Sequence, residues 1–222
     1  MRKHRPLIGW PMWDSKRRRF SMPNEIWEYK LRPIEFIIFS YLCYHQSHNL
    51  PDQITLQMIA NGVHSTEITV KKYIESLIAK GLITSKWLPT ARLQCNRYKN
   101  FFTLPDEIFL LKLLPSAFMV YAYLLLIEDR KTHTCHPSYN TIAAETGLSK
   151  NTALKSINIL LETGLINVEP SSYFDKHGMK WKGNNLYMVL PIHSAVDTFH
   201  QRQLRKLELD MARSRLAAQT AM

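Results

Sequence analysis

Two stretches of the chain run for about three helical turns with almost no polar side chain: PIEFIIFSYLCY from Pro33 and PSAFMVYAYLLLI from Pro115. A helix apolar all round is a buried helix. Proline is well placed in a first helical turn, where its missing N–H would have had no partner. Both stretches are therefore expected as core helices, with Phe36, Tyr41, Phe118 and Tyr123 as packing residues. The pattern after the second is amphipathic. A helix over about residues 138–146 turns Ile142 and Ala143 inward and stops at Gly147, and Ser149 is placed to cap the next one. In that next helix Ala153, Ile157, Leu160 and Leu161 recur at spacings of three and four, which predicts one buried stripe. Gly164 ends it; LINVE then starts an extended segment whose expected partner is NNLYMVL, with PSSYFDKHGMKWKG as the loop between them. From Ser194 onward there is neither proline nor glycine, which predicts a long terminal helix.

The pattern occurs twice. FSMPNEIWEYKLRPIEFIIFSYL from Phe20 and FTLPDEIFLLKLLPSAFMVYAYL from Phe102 align at an offset of 82, matching Pro23 with Pro105, Pro33 with Pro115 and Phe36 with Phe118. One inserted residue changes the offset to 83, which pairs Ile59 with Ile142, Thr69 with Thr152, Ile74 with Ile157 and Gly81-Leu82-Ile83 with Gly164-Leu165-Ile166. Matches in order that include proline, glycine and tyrosine point to a duplication rather than to two unrelated leucine-rich helices. The expected organisation is an arm over 1–19, a first domain over 20–100, a second over 101–190 and a helix over 191–222.

Helix, helix, glycine turn, helix and β-hairpin is the winged-helix arrangement, so the fold class is mainly α with small β-hairpins, as two tandem winged helix-turn-helix domains plus a C-terminal helix. SYNTIAAETGLSKNTALKSINILLETGLI resembles the helix-turn-helix of bacterial winged-helix DNA-binding proteins, with its small-residue turn, Ser-x-x-Thr helix front and closing Gly-Leu-Ile. The lead-in FFTLPDEIF is similar to the N-terminal domains of replication initiators and replisome organisers of plasmids, phages and integrative elements. The resemblance spans residues 20–190, in two copies, and implies a DNA-binding protein with a recognition helix and a wing.

Charge supports a polyanionic partner. The 222 residues carry a formal net charge of +11, and residues 1–19 alone carry +6, including the run Lys16, Arg17, Arg18 and Arg19. That run reads as an arm lying along phosphates or entering a minor groove, or as a plain solvated surface. In the second copy the front SKNTALKS holds no acid, and Ser149, Lys150, Asn151, Thr152, Lys155 and Ser156 are the candidate contacts to double-stranded DNA. Asparagine pairs two-pronged with adenine, and lysine reaches guanine or phosphate. Lys176, His177, Lys180 and Lys182 make the following loop a basic wing. In the first copy Glu67 and Ile68 replace Lys150 and Asn151, which leaves Lys71 and Lys72 as the basic contacts. A carboxylate is repelled by phosphate, while isoleucine suits a thymine methyl or a protein equally. This copy is expected to assist through backbone contacts or dimerisation.

Other classes find little support. There is no glycine-rich phosphate loop, nucleophile elbow or paired carboxylate motif, so no enzyme and no cofactor are expected. Cys43, Cys95 and Cys135 lack C-x-x-C spacing, and His133, Cys135 and His136 match no standard zinc pattern, so neither disulfide nor metal is expected. The odd cysteine count suits a reducing cytoplasm, and the expected DNA partner would place the protein at the nucleoid. The stretch PLIGWPMW, cut by two prolines, makes a poor signal peptide, and the longest apolar run, 117–127, is too short to span a bilayer. Three roles stay open at this level: an operator-binding transcription regulator, a replication initiator of a mobile element, and a winged-helix adaptor for proteins. Homodimerisation through the terminal helix or its packing against the second domain, contact with replication or transcription machinery, the target sequence and any effector stay open as well.

Overall fold

The computed structural model describes residues 18–48, 54–87, 101–174 and 176–220, and it is mostly helical with small antiparallel sheets. The first half comprises strand β1 (Arg19–Pro23), a 3-10 helix (Asn24–Tyr29), α1 (Pro33–Ser47), α2 (Leu56–Gly62) and α3 (Glu67–Ala79). The second comprises β2 (Phe101–Pro105), a 3-10 helix (Asp106–Leu111), α4 (Pro115–Ile127), β3 (Thr134–Cys135), α5 (Tyr139–Thr146), α6 (Lys150–Thr163), β4 (Ile166–Glu169), β5 (Ser172–Phe174), β6 (Lys180–Lys182) and β7 (Leu186–Val189), followed by α7 (Ile192–Thr220).

Local chemistry sets these boundaries. Pro33 and Pro115 open α1 and α4 as first-turn residues. Thr55, Thr66, Ser138 and Ser149 each accept a hydrogen bond from a backbone N–H three residues on, satisfying one of the free donors of a helix start. Gly147 and Gly164 stop α5 and α6 with φ of 67° and 76°, a left-handed conformation that spares glycine the clash of a Cβ. In the first half the residue matching Gly147 is His64, held left-handed at φ 53° while its Nε2 lies 3.0 Å from the Phe109 carbonyl oxygen.

The two halves do not stand apart. β1 pairs antiparallel with β2, and α1 packs against α4, so the aromatic side chains of both halves enter one continuous core. Phe36 and Phe118 are fully buried with ring centroids 6.2 Å apart, Tyr123 is buried and Tyr41 half-buried, as the all-apolar helices predict. An expected boundary at residue 100 therefore divides the sequence but not the core.

Three details of the second half differ from the sequence reading. The expected hairpin pairing is present, Ile166 opposite Val189 and Glu169 opposite Leu186, but β3 joins it on the far side of β7 to make three strands. Two residues are too short to show an alternation, so β3 had no signal of its own. The loop between β4 and β7 is itself a hairpin, β5 with β6. In α6, Ala153, Ile157 and Leu160 are buried as the stripe predicts, whereas Leu161 is exposed and Ser156 takes the buried place. The corresponding wing of the first half, residues 88–100, lies outside the described residues, as does Cys95.

Candidate nucleic-acid interface

α6 lies across α4 and α5, holding its inner face against the core and leaving its front free. The Ser149 hydroxyl accepts from the Thr152 amide at 3.1 Å and meets the Thr152 hydroxyl at 2.8 Å, which fixes the first turn. Those two side chains are thus occupied in the cap, with Ser149 exposed and Thr152 half-buried. Lys150, Asn151 and Lys155 are exposed beside it. Leu154 and Asn158 share that exposed face, three and seven residues beyond Asn151. Their helical spacing was the signal that could have added them to the candidates.

Ser156 is a correction. It is 0% exposed on the core side of α6, one residue before Ile157, and so offers nothing to a groove. Among the described residues its Oγ has no hydrogen-bond partner. Polarity suggested an outward residue, but the angle along the helix places it inward.

Arg19 is a second correction. It belongs to β1 rather than to a free arm, and its guanidinium donates from Nε to the Thr103 hydroxyl and from Nη2 to the Thr103 carbonyl, both at 2.9 Å. Arg18 is exposed, while Lys16 and Arg17 lie outside the described residues. In the wing, Lys176 and His177 are exposed at the turn of the β5–β6 hairpin, and Lys180 and Lys182 belong to β6. The hairpin is tied at its base by the Gly183 amide donating to the Ser171 carbonyl at 2.8 Å and by the Ser171 hydroxyl donating to the Asn184 carbonyl. Asn185 Nδ2 also donates to the Tyr139 hydroxyl at 2.9 Å, joining the wing to α5.

In the first half α3 has the same cap, Thr66 accepting from the Thr69 amide at 3.2 Å, with Glu67, Lys71 and Lys72 exposed. Ile68 is 84% exposed, beyond every other large apolar residue among those described. The rear of α3 is anchored differently from that of α6. Buried Glu35 of α1 accepts from the Ser76 hydroxyl at 2.6 Å, from Lys80 Nζ at 2.7 Å and from the Arg32 amide at 2.9 Å. Burial alone would raise this carboxyl, but the bonds from Lys80, Ser76 and the Arg32 amide hold it below its ordinary value. The residue matching Glu35 in α4 is Ala117, so the second half lacks this tether.

His133, Cys135 and His136 lie in β3 and on either side of it. Cys135 is buried in β3, where burial, and then the nearby Glu128 carboxylate, push its thiol up to about 12. His133 Nδ1 lies 3.3 Å from Glu128 Oε2. Among the described residues no group of three or more His, Cys, Asp and Glu side chains is arranged to hold a metal ion. No described helix is long and apolar enough to cross a membrane.

No curated protein matches this chain. A solved structure described as a possible transcriptional regulator from Methanosarcina mazei Go1 is similar at 15% identity and a TM-score of 0.34, covering 50% of this chain and 89% of its own. A family model described as a helix-turn-helix domain matches residues 111–166, from the end of the second 3-10 helix through α4, β3, α5 and α6 to the start of β4. Geometry and family comparison thus agree on where the helix-turn-helix of this chain lies.

Proposed function

We propose that this chain is a sequence-specific double-stranded DNA-binding protein of the bacterial transcriptional-regulator type, acting without catalysis or cofactor in the cytoplasm. The observation that carries this reading is the front of α6: a capped, acid-free helix start within the helix-turn-helix match, presenting Lys150, Asn151 and Lys155 to solvent. Side chains at the front of a recognition helix meet base edges in the major groove, and the positive end of the helix dipole faces the same way. In this reading Asn151 makes a two-pronged contact with adenine, and Lys150 and Lys155 reach guanine or phosphate. The β5–β6 hairpin, with Lys176 and His177 at its turn and Lys180 and Lys182 in β6, is the wing that meets the backbone. Residues 1–18, with Lys16, Arg17 and Arg18, supply the arm.

The test is a mobility shift on a selected duplex at two salt concentrations. Phosphate contacts make binding fall steeply with salt, and Lys150→Glu with Asn151→Ala should abolish preference for the selected site. Retained preference in that double variant would refute α6 as the reading helix. A replication-initiator role rests on the resemblance of the lead-in FFTLPDEIF alone. Repeated sequence blocks beside the gene would favour it, and a divergent promoter would favour the regulator.

A further inference from the structure

The contact between the two halves is related to itself by a half-turn. At the sequence offset of 82, Ser21 corresponds to Thr103, and these two residues are paired across the β1–β2 ribbon. Exchanging the halves turns the pair Phe20–Leu104 into Phe102–Met22 and Arg19–Pro105 into Phe101–Pro23, and both products are pairs of the same register. Such an exchange leaves an antiparallel ribbon unchanged only when a two-fold axis passes through its central pair, here Ser21 and Thr103.

The aromatic core obeys the same operation. Phe36 touches its own counterpart Phe118. The edge-on pair Trp27–Tyr123, with centroids 5.6 Å apart, is mirrored by the edge-on pair Phe109–Tyr41 at 5.2 Å. Trp27–Phe36 at 4.9 Å is mirrored by Phe109–Phe118 at 5.6 Å, and Trp27–Phe102 at 6.1 Å by Phe109–Phe20 at 5.7 Å. Even the left-handed residues that end the two 3-10 helices, Lys30 at φ 45° and Lys112 at φ 51°, correspond. One chain therefore contains what a symmetric dimer makes from two.

α3 packs on α1 and α2 as α6 packs on α4 and α5; a half-turn leaves the direction along its axis unchanged, so under the same operation the fronts of α3 and α6 face the same way along it. DNA has local two-fold axes of its own, and two-fold related reading heads meet inverted half-sites. The fronts differ, so the halves differ. Where α6 offers Asn151 for adenine and Lys150 for guanine, α3 offers Ile68, 84% exposed, for a thymine methyl, and Glu67 as an acceptor for the cytosine amino group.

We infer, resting on the DNA-binding reading above, that this chain is an internal dimer in which a single copy reads one DNA site made of two inverted but unequal halves, α6 on one half and α3 on the other through Ile68 and Glu67.

The experiment selects bound duplexes from a random library with the full chain and measures the mass of the complex. Expected are two inverted blocks of different sequence with one chain per duplex. Repeating the selection with Ile68→Ala should flatten base preference in one block only, and with Asn151→Ala in the other only. Each variant should weaken binding to the wild-type site by about 5- to 150-fold, the range for loss of one base contact. A single block, two blocks in direct repeat, or two chains per duplex would overturn the inference and leave the DNA-binding reading standing. Both blocks persisting unchanged in Ile68→Ala would also overturn it, and would assign that exposed isoleucine to a protein partner. Failure to enrich any block would refute sequence-specific binding itself.

Discussion

Replacing Glu35 with alanine tests how the first half holds its helix α3. The carboxylate is 2% exposed and accepts from the Arg32 amide, the Ser76 hydroxyl and Lys80. A hydrogen bond to a charged group contributes about 1.5–3 kcal/mol. The three do not simply add. Lys80 is 34% exposed and regains water when released, so its share is nearer the ~0–1 kcal/mol of a surface pair. The Arg32 amide starts α1 and also regains water, whereas half-buried Ser76 loses its acceptor. Together these give a cost of about 2–4 kcal/mol, under the ~3–5 kcal/mol seen when a fully buried ion pair is broken. For a chain of this size that lowers the melting midpoint by roughly 4–16 °C.

Urea denaturation followed by circular dichroism measures the loss, with Glu35→Gln as the uncharged control. Because the folded carboxyl is held below its ordinary value of 4.5, its stabilisation is fully present above that value and is lost as pH falls through the lower, folded one. The advantage of the wild type over Glu35→Gln should therefore shrink as the solution is acidified below 4.5. A loss under about 0.5 kcal/mol for Glu35→Ala, the range of ordinary surface substitutions, would refute the tether, as would an advantage that does not change with pH.

Other outcomes follow from single residues. Ser156→Ala removes a buried hydroxyl with no partner among the described residues, so stability should hold or rise by about 1 kcal/mol and DNA binding should not change; weaker binding in a gel shift would restore Ser156 to the interface. Gly147→Ala forces a Cβ into a left-handed turn at φ 67° and should cost about 1–2 kcal/mol in thermal denaturation, with no cost refuting the strain argument. Gly62→Val should destabilise strongly, because the Tyr41 ring occupies the space its Cβ would need; soluble expression with an unchanged melting midpoint would contradict that contact. Deleting residues 1–17 should weaken binding to all duplexes and flatten its salt dependence, and an unchanged slope would show that the arm does not meet phosphate.

Much of the candidate site was legible locally. The cap at Ser149, the stop at Gly164 and the exposed Lys150 and Asn151 follow from residue types within a turn of one another. Ser156 and Arg19 were misplaced because polarity and charge say what a side chain prefers, not what lies opposite it. Arg19 meets Thr103, 84 residues away, and no local pattern carries that pairing.

The sequence alone determined α1, α4, α5, α6 and the terminal helix, the cap at Ser149, the stops at Gly147 and Gly164, the wing strands β4 and β7, the recurrence at 82 and 83 residues, and the uneven charge. Each of these depends on neighbours within a few residues or on comparing the chain with itself. Only the tertiary structure decided that the two copies share one core across the β1–β2 ribbon, that β3 joins the wing sheet, and that Trp27, Phe36, Phe109 and Phe118 pack in mirrored pairs. Apolar stripes state how much surface must be buried but are non-directional about the partner. Two copies of one unit carry matching sticky faces, and burying them against each other is an outcome of shape and register that hydrophobicity leaves unspecified.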